Sequence, residues 1–216
     1  EHAKILLPTD ISDFTKSSEV ICVEEITQYL YELIKASQGR ALVLFTSYQQ
    51  QREVYAKLSP LLKEEGIQVL AHGISGGRDH ILQTQKQSLH SCILGVNSFW
   101  EGIDIKGEAL SLLVIVRLPF FPPNTPIMEA KFERLRAMGK NPFADYSLPQ
   151  AMIRFKQGFG RLIRSKEDKG ICCILDQRIW SKSYGKRFLS ILPQVPIKCM
   201  KQPEIIEEIH HFLDKK

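Results

Sequence analysis

This sequence predicts an α/β fold: a mainly parallel sheet flanked by helices, plus a proline-rich and helical insertion. Two observations carry that reading. Short apolar runs alternate along the chain with longer helical patterns, the order expected of a sheet built by crossover connections. The runs Ala41–Phe45, Cys92–Val96, Leu112–Val116 and Ile171–Leu175 are continuous rather than alternating in polarity, which suits strands covered on both faces.

The elements follow in order. Ile5–Leu7 is a candidate first strand, and Ser18 to Ala36 reads as a helix with Val20, Ile26, Leu30, Leu33 and Ile34 near a 3.6-residue period. Gly39 ends it, and Ala41–Phe45 is the next strand. Tyr48 to Glu64 is helical, Gly66 punctuates, and Ile67–Leu70 returns to strand. A segment with Gly73, Gly76 and Gly77 leads to a helix at Asp79–Ser88, and then come the strands Cys92–Val96 and Leu112–Val116. Pro119-Phe120-Phe121-Pro122-Pro123-Asn124-Thr125-Pro126 then breaks the rhythm, since prolines stop sheet and helix alike. A helical piece at Ile127–Met138 and a turn at Asn141-Pro142 complete an excursion over about 119–148, either a plain connector or a surface that guides a ligand. An amphipathic run starts near Leu148, Ile171–Leu175 is a strand, and Glu204–Leu213 is a closing helix.

The 216 residues, 44% of them hydrophobic, suffice for one domain over the whole chain, insertion included. A net charge of +5 is compatible with a polyanionic partner and points no further. The five cysteines form no C-x-x-C pair, so a metal centre or disulfide within this chain is not expected. Cys92, Cys172 and Cys173 lie in apolar runs and read as reduced core residues. No apolar run approaches the roughly 20 residues of a membrane span. The chain opens Glu1-His2-Ala3, without methionine, and reads as a piece of a longer protein.

Three segments could carry chemistry. Gln157-Gly158-Phe159-Gly160-Arg161-Leu162-Ile163-Arg164 lies in the amphipathic run that starts near Leu148, and its i, i+4, i+7 spacing puts positions 157, 161 and 164 on one helical stripe. Arginine forks match phosphate oxygens and can stabilise a transferring phosphoryl group; the alternative is a solvated basic helix. Two interior glycines favour the first, since each costs a helix about 1 kcal/mol relative to alanine. The second segment, Gly95-Val96-Asn97-Ser98-Phe99-Trp100-Glu101-Gly102-Ile103-Asp104, follows a strand, where α/β sheets place their ligand crevice. Ser98, Glu101 and Asp104 could meet a ribose, a phosphate-bound water or a nucleic-acid backbone, and Gly102 a close backbone approach. Equally, Trp100 could simply pack and the acids be solvated. In the third segment, Thr46-Ser47-Tyr48-Gln49, a helix cap is the safer reading of the hydroxyls, and a phosphate contact is compatible with it. No G-x-x-x-x-G-K-[ST], G-x-G-x-x-G or H-E-x-x-H sequence occurs. Arginines suited to phosphate without a phosphate cradle look like half of an active site.

The chain resembles the C-terminal RecA-like motor domain of superfamily-2 DNA helicases of the DinG/XPD type, the bacterial DinG branch in particular. Leu42-Val43-Leu44-Phe45-Thr46-Ser47-Tyr48 is similar to that family's motif IV. Asn97–Asp104 is similar to motif V, with Arg117-Leu118-Pro119-Phe120 after it, and Gln157–Arg164 to motif VI. Asp168-Lys169-Gly170 and Leu175-Asp176-Gln177-Arg178 are also typical.

The resemblance implies an ATP site split between two RecA-like domains. ATP and Mg2+ would be held mainly by an N-terminal motor domain of the same protein. Arg161 and Arg164 would reach the β- and γ-phosphates across the cleft, with Gln157 sensing the γ-phosphate or the attacking water. Glu101, Gly102 and Asp104 would couple nucleotide state to DNA grip, while Thr46, Ser47 and Ser98 would contact phosphates of single-stranded DNA. A cytoplasmic, nucleoid-associated location goes with that reading. Some Gram-positive DinG relatives carry an N-terminal exonuclease domain, so a DNA-binding, regulatory module of a 3'-5' exonuclease is the alternative. XPD-type members carry an iron–sulfur cluster in the half not represented in this chain. A different α/β enzyme with a phosphorylated substrate is the remaining class, and no catalytic motif supports it.

Overall fold

The structure is a computed structural model that describes residues 3–101, 110–163 and 169–214. Its centre is a seven-stranded sheet in the order β3-β4-β2-β5-β6-β1-β7, in which every pairing is parallel. The strands are β1 (Ala3–Pro8), β2 (Ala41–Phe45), β3 (Gln68–Ala71), β4 (Ser91–Val96), β5 (Leu112–Ile115), β6 (Gly170–Ile174) and β7 (Ile197–Met200).

The continuous apolar runs are buried strands because helices cover both sheet faces. Val43, Phe45, Leu94, Val114 and Cys173 point to one side, where α1 (Glu19–Ala36), α2 (Tyr48–Glu64) and α8 (Gln202–Asp214) pack. Leu42, Leu44, Ile93, Leu113 and Cys172 point to the other, which meets α3 (Arg78–Gln87), α5 (Leu148–Phe159) and α7 (Gly185–Ser190). Each run thus feeds two cores, a side chain at a time. The two long helices begin where a serine can accept from the third residue on: Ser18 from Ile21 N and Ser47 from Gln50 N.

Three features differ from the sequence reading. Strand β7 is the first. It is an edge strand, mostly exposed, and its four residues IKCM carry no buried apolar run to announce it. It is held by pairing with β1 and by Glu208 of α8, which bonds Lys4 of β1 and Lys198 at 2.9 Å. Hydrogen bonds from Lys4 and then Lys198 keep the Glu208 carboxyl below its usual range. The short helices α6 (Arg178–Ser181) and α7 are likewise too brief for a periodic signal.

The third difference is the end of α5. The helix stops at Phe159, Gly160 caps it, and Arg161 and Leu162 form a turn. Arg164 lies outside the described residues, and Arg161 does not continue the helical face that carries Gln157. The cause is packing: Leu162, 3% exposed, folds back onto the start of β6, where a Cβ on Gly170 would come within 2.3 Å of its Cδ1.

In the excursion over 119–148, α4 (Pro126–Ala137) buries only Met128 and leaves Ile127 82% exposed. Beyond it, Asn141 Oδ1 accepts from Phe143 N and Ala144 N, and a wide helical turn at Phe143–Ser147 runs directly into α5. Phe120 stacks on Phe143 at 5.8 Å and meets Tyr184 and Phe188 edge-on, fastening both ends of the excursion to α7. Asp176, 5% exposed, fixes the strand ends nearby: it accepts from Leu118 N at 2.8 Å and pairs with the Arg178 guanidinium.

Cys22, Cys92, Cys172 and Cys173 are buried, whereas Cys199 on β7 is exposed. Burial pushes the Cys92 thiol up to about 12 and that of Cys173 higher still. One thiol per chain is expected to react with an aromatic disulfide reagent at about pH 8 under native conditions, and Cys199→Ser should remove it. A second fast thiol in that variant would contradict the burial.

Candidate nucleotide and nucleic-acid interface

The carboxyl ends of the parallel strands lie along one edge of the sheet, where α/β proteins bind ligands. Two of the three expected segments meet there because their strands, β2 and β4, are neighbours. Thr46 and Ser47, both half-buried, follow β2. Ser47 caps α2, accepting from Gln50 N at 3.3 Å, so the capping role is present and its hydroxyl stands at a helix N-terminus.

Ser98 follows β4 in a single tight helical turn, Asn97–Phe99, entered through a left-handed Asn97 at φ 48°. The next residue settles the alternatives for Trp100: it packs. Its ring is fully buried and its Nε1 donates to Phe45 O at 2.8 Å, tying the end of β4 to the end of β2. Glu101 is exposed. Gly102 and Asp104 lie outside the described residues, as does Arg164.

Trp100 also explains Gly158. A Cβ there would approach the indole ring to 2.9 Å and Leu44 Cδ1 to 3.1 Å. The glycine lets α5 lie directly on the tryptophan, which places the 157–161 turn beside the 97–101 loop. Gln157 is exposed, and its carbonyl accepts from Arg161 Nε at 3.2 Å. The structure thus seats the end of α5, at Gly158, on the indole that stands between Ser98 and Glu101 in the chain.

A residue that the sequence reading missed holds the same junction. Arg154, one turn before Gln157 on α5, donates from its guanidinium to Asn97 Oδ1 at 3.2 Å. That guanidinium lies 5.5 Å from the Trp100 ring and 5.2 Å from that of Phe121. Burial lowers its pKa, and the nearby Glu101 charge partly restores it. No signal in the sequence marks it, because its two rings and its acceptor come from other segments of the chain.

Among the described residues, no group of three or more His, Cys, Asp or Glu side chains is arranged to hold a metal. No helix among them is long and apolar enough to cross a membrane.

An all-parallel sheet covered by helices on both faces, with polar loops gathered at its carboxyl edge, makes the molecule an α/β domain of the kind that binds ligands along that edge. Residues 30–195 match the family model described as the helicase C-terminal domain, and the chain belongs to that family. It is 39% identical over 206 residues to the 3'-5' exonuclease DinG of Bacillus subtilis, covering 95% of this chain and 22% of that protein. It is 35% identical over 209 residues to the ATP-dependent DNA helicase YoaA of Escherichia coli, covering 91% of this chain and 32% of that protein. With the ATP-dependent DNA helicase DinG of Photobacterium profundum the identity is 38%, over 80% of this chain and 25% of the relative. The chain therefore spans 22 to 32% of the length of these curated relatives. Among solved structures, an XPD helicase superposes with a TM-score of 0.64 at 19% identity, over 92% of this chain and 35% of that one. Dbp5 of S. cerevisiae bound to RNA and ADP BeF3 does so with a TM-score of 0.55 at 15% identity, over 96% of this chain and 45% of that one. These structural likenesses show the RecA-like helicase fold.

Proposed function

We propose that this chain is the C-terminal motor half of an ATP-dependent DNA helicase or translocase of the DinG type, a single RecA-like domain with an insertion at about 119–148. The observation that carries the reading is the Trp100–Gly158 junction, which packs the end of α5, three residues before Arg161, against the tryptophan between Ser98 and Glu101. A change at one is felt at the other, as a motor that links nucleotide state to strand grip requires.

In this reading Arg161 and Arg164 act on the β- and γ-phosphates of an ATP held, with Mg2+, mainly by an N-terminal RecA-like domain of the same protein. Gln157 attends the γ-phosphate or the attacking water. Glu101, Gly102 and Asp104 couple the two sites, and Thr46, Ser47 and Ser98 take phosphates of single-stranded DNA. Closure on ATP and reopening after hydrolysis move the strand. Backbone charge is read, not base identity. The identity with the exonuclease DinG of Bacillus subtilis favours a second reading, in which the same domain is a DNA-binding regulatory module beside a nuclease.

The separating experiment is steady-state ATP hydrolysis by the full-length protein with and without single-stranded DNA. A motor shows turnover stimulated by the strand, and the 216-residue chain alone shows none. Turnover by the chain alone would overturn the split site, and unstimulated full-length protein would favour the regulatory module. Binding to single strands should weaken with salt at a slope of about −0.7 in log K against log salt per phosphate neutralised. Binding indifferent to salt, or dependent on base sequence, counts against a backbone grip.

A further inference from the structure

Just past the end of β5 stands an arginine whose charge is paired by no carboxylate among the described residues. Arg117 is half-buried, and its Nε is enclosed without a hydrogen-bond partner. Its guanidinium carbon lies 5.6 Å from the centre of the Phe14 ring. A cation withdrawn from water in this way needs a compensating anion or hydrogen-bond acceptor.

A pocket of about 330 Å3 opens at this guanidinium. Thr46, Ser47 and Gln50 line it from the start of α2, and Ser17 lines it just before α1. Two helices of 18 and 17 residues thus direct their N-termini toward one space, and helix N-termini favour anions. Gln50 supplies an independent sign. It is 4% exposed, it lines the pocket, and its amide Oε1 has no partner. Because an amide's two ends are assigned from their hydrogen bonds, an orphaned amide at such a wall is poised to turn its NH2 to an acceptor. One opposing charge, Glu19, also reaches the pocket, but it is exposed and can rotate into water.

We propose that Arg117 and Gln50, with the N-termini of α1 and α2, form a phosphate-binding pocket, and that it takes a backbone phosphodiester of the single strand. Arg117 is its principal charged ligand. The inference rests on the DNA reading above and adds to it a residue at the end of β5, beyond the hydroxyls of Thr46, Ser47 and Ser98. A single strand crossing the sheet edge would then be gripped from β4, β2 and β5 in turn.

The test is anisotropy of a labelled oligo-dT strand with full-length protein, across a salt series, for wild type, Arg117→Gln, Arg117→Lys and Ser98→Ala. Arg117→Gln is expected to weaken binding about tenfold and to reduce the salt slope by about 0.7. Arg117→Lys should keep the slope, since it keeps the charge, and lose part of the affinity. Because Lys keeps both the charge and a long aliphatic stem, it also reports if the Gln variant fails to fold. Full wild-type affinity in either Arg117 variant, beside a weakened Ser98→Ala, would overturn the pocket and leave the DNA reading standing. No binding by any form, wild type included, would sink the DNA reading and with it the phosphodiester assignment. In that case a thermal shift of wild type by inorganic phosphate, absent in Arg117→Gln, would reassign the pocket to free phosphate.

Discussion

Replacing Arg161 or Arg164 with lysine in the full-length protein is expected to lower DNA-stimulated ATP turnover by about 10³-fold or more, while single-stranded DNA binding stays within about threefold of wild type. Arginine fingers in phosphoryl-transfer sites contribute on the order of 10³–10⁵ in rate, and lysine keeps the charge without the fork that spans two phosphate oxygens. Arg161 sits in the turn after α5 with its Nε on Gln157 O at 3.2 Å, a local contact four residues back. Such a contact is readily exchanged for a charged phosphate acceptor, which forms the stronger bond. A solvated basic segment predicts something quite different: stability within about 0.5 kcal/mol and near-normal turnover. The measurement is steady-state hydrolysis with saturating single strand, beside a DNA titration. Near-wild-type turnover in both variants would remove the finger role. Lost DNA binding with intact basal hydrolysis would move the arginine concerned to the DNA side.

Trp100→Ala is expected to destabilise the domain by about 3–5 kcal/mol, the usual cost of emptying a fully buried aromatic site. The indole is 0% exposed, lies on Gly158 and donates to Phe45 O. Trp100→Phe keeps much of the packing but forfeits that donation, so a smaller loss of about 1–2 kcal/mol is expected. Gly158→Ala should cost about 1–3 kcal/mol by overpacking, because its new methyl would meet the ring at 2.9 Å. The two sites are in contact, so the costs should not add: Gly158→Ala in a Trp100→Ala background should cost clearly less than alone. Urea denaturation of wild type, the two single variants and the double variant measures the cycle. Additive costs would show that Gly158 is present for some reason other than the tryptophan.

How much of this site could be read from the chain differs segment by segment. The motifs around Thr46–Ser47, Asn97–Glu101 and Gln157–Arg161 are legible because their residue types are unusual at those spacings. Arg154 and the pocket at Arg117 are not, because a lone arginine in a sequence carries no mark of its burial. What distinguishes Arg154 is the pair of rings at its faces, Trp100 and Phe121, which come from two other segments. What distinguishes Arg117 is the lack of an ion-pair partner among the described residues, a property of everything around it.

The sequence by itself determined the buried strands and the long helices. In β2, β4, β5 and β6 every residue is buried, as their near-continuous apolar runs require, and α2 runs from Tyr48 to Glu64 as its pattern indicates. These elements are specified locally, by burial period and by capping serines, so a reader of residues can find them. Only the tertiary structure decided the rest. The edge strand β7 exists because β1 offers it an unpaired side and Glu208 bridges Lys4 and Lys198, not because IKCM resembles a core strand. Helix α5 ends at Phe159 because Leu162 is drawn onto Gly170, a partner on β6, and this takes Arg161 off the helical face that carries Gln157. In each case the deciding contact joins residues far apart or outside the element itself, and the free energy of such contacts outweighs the tenths of a kcal/mol by which local propensities differ.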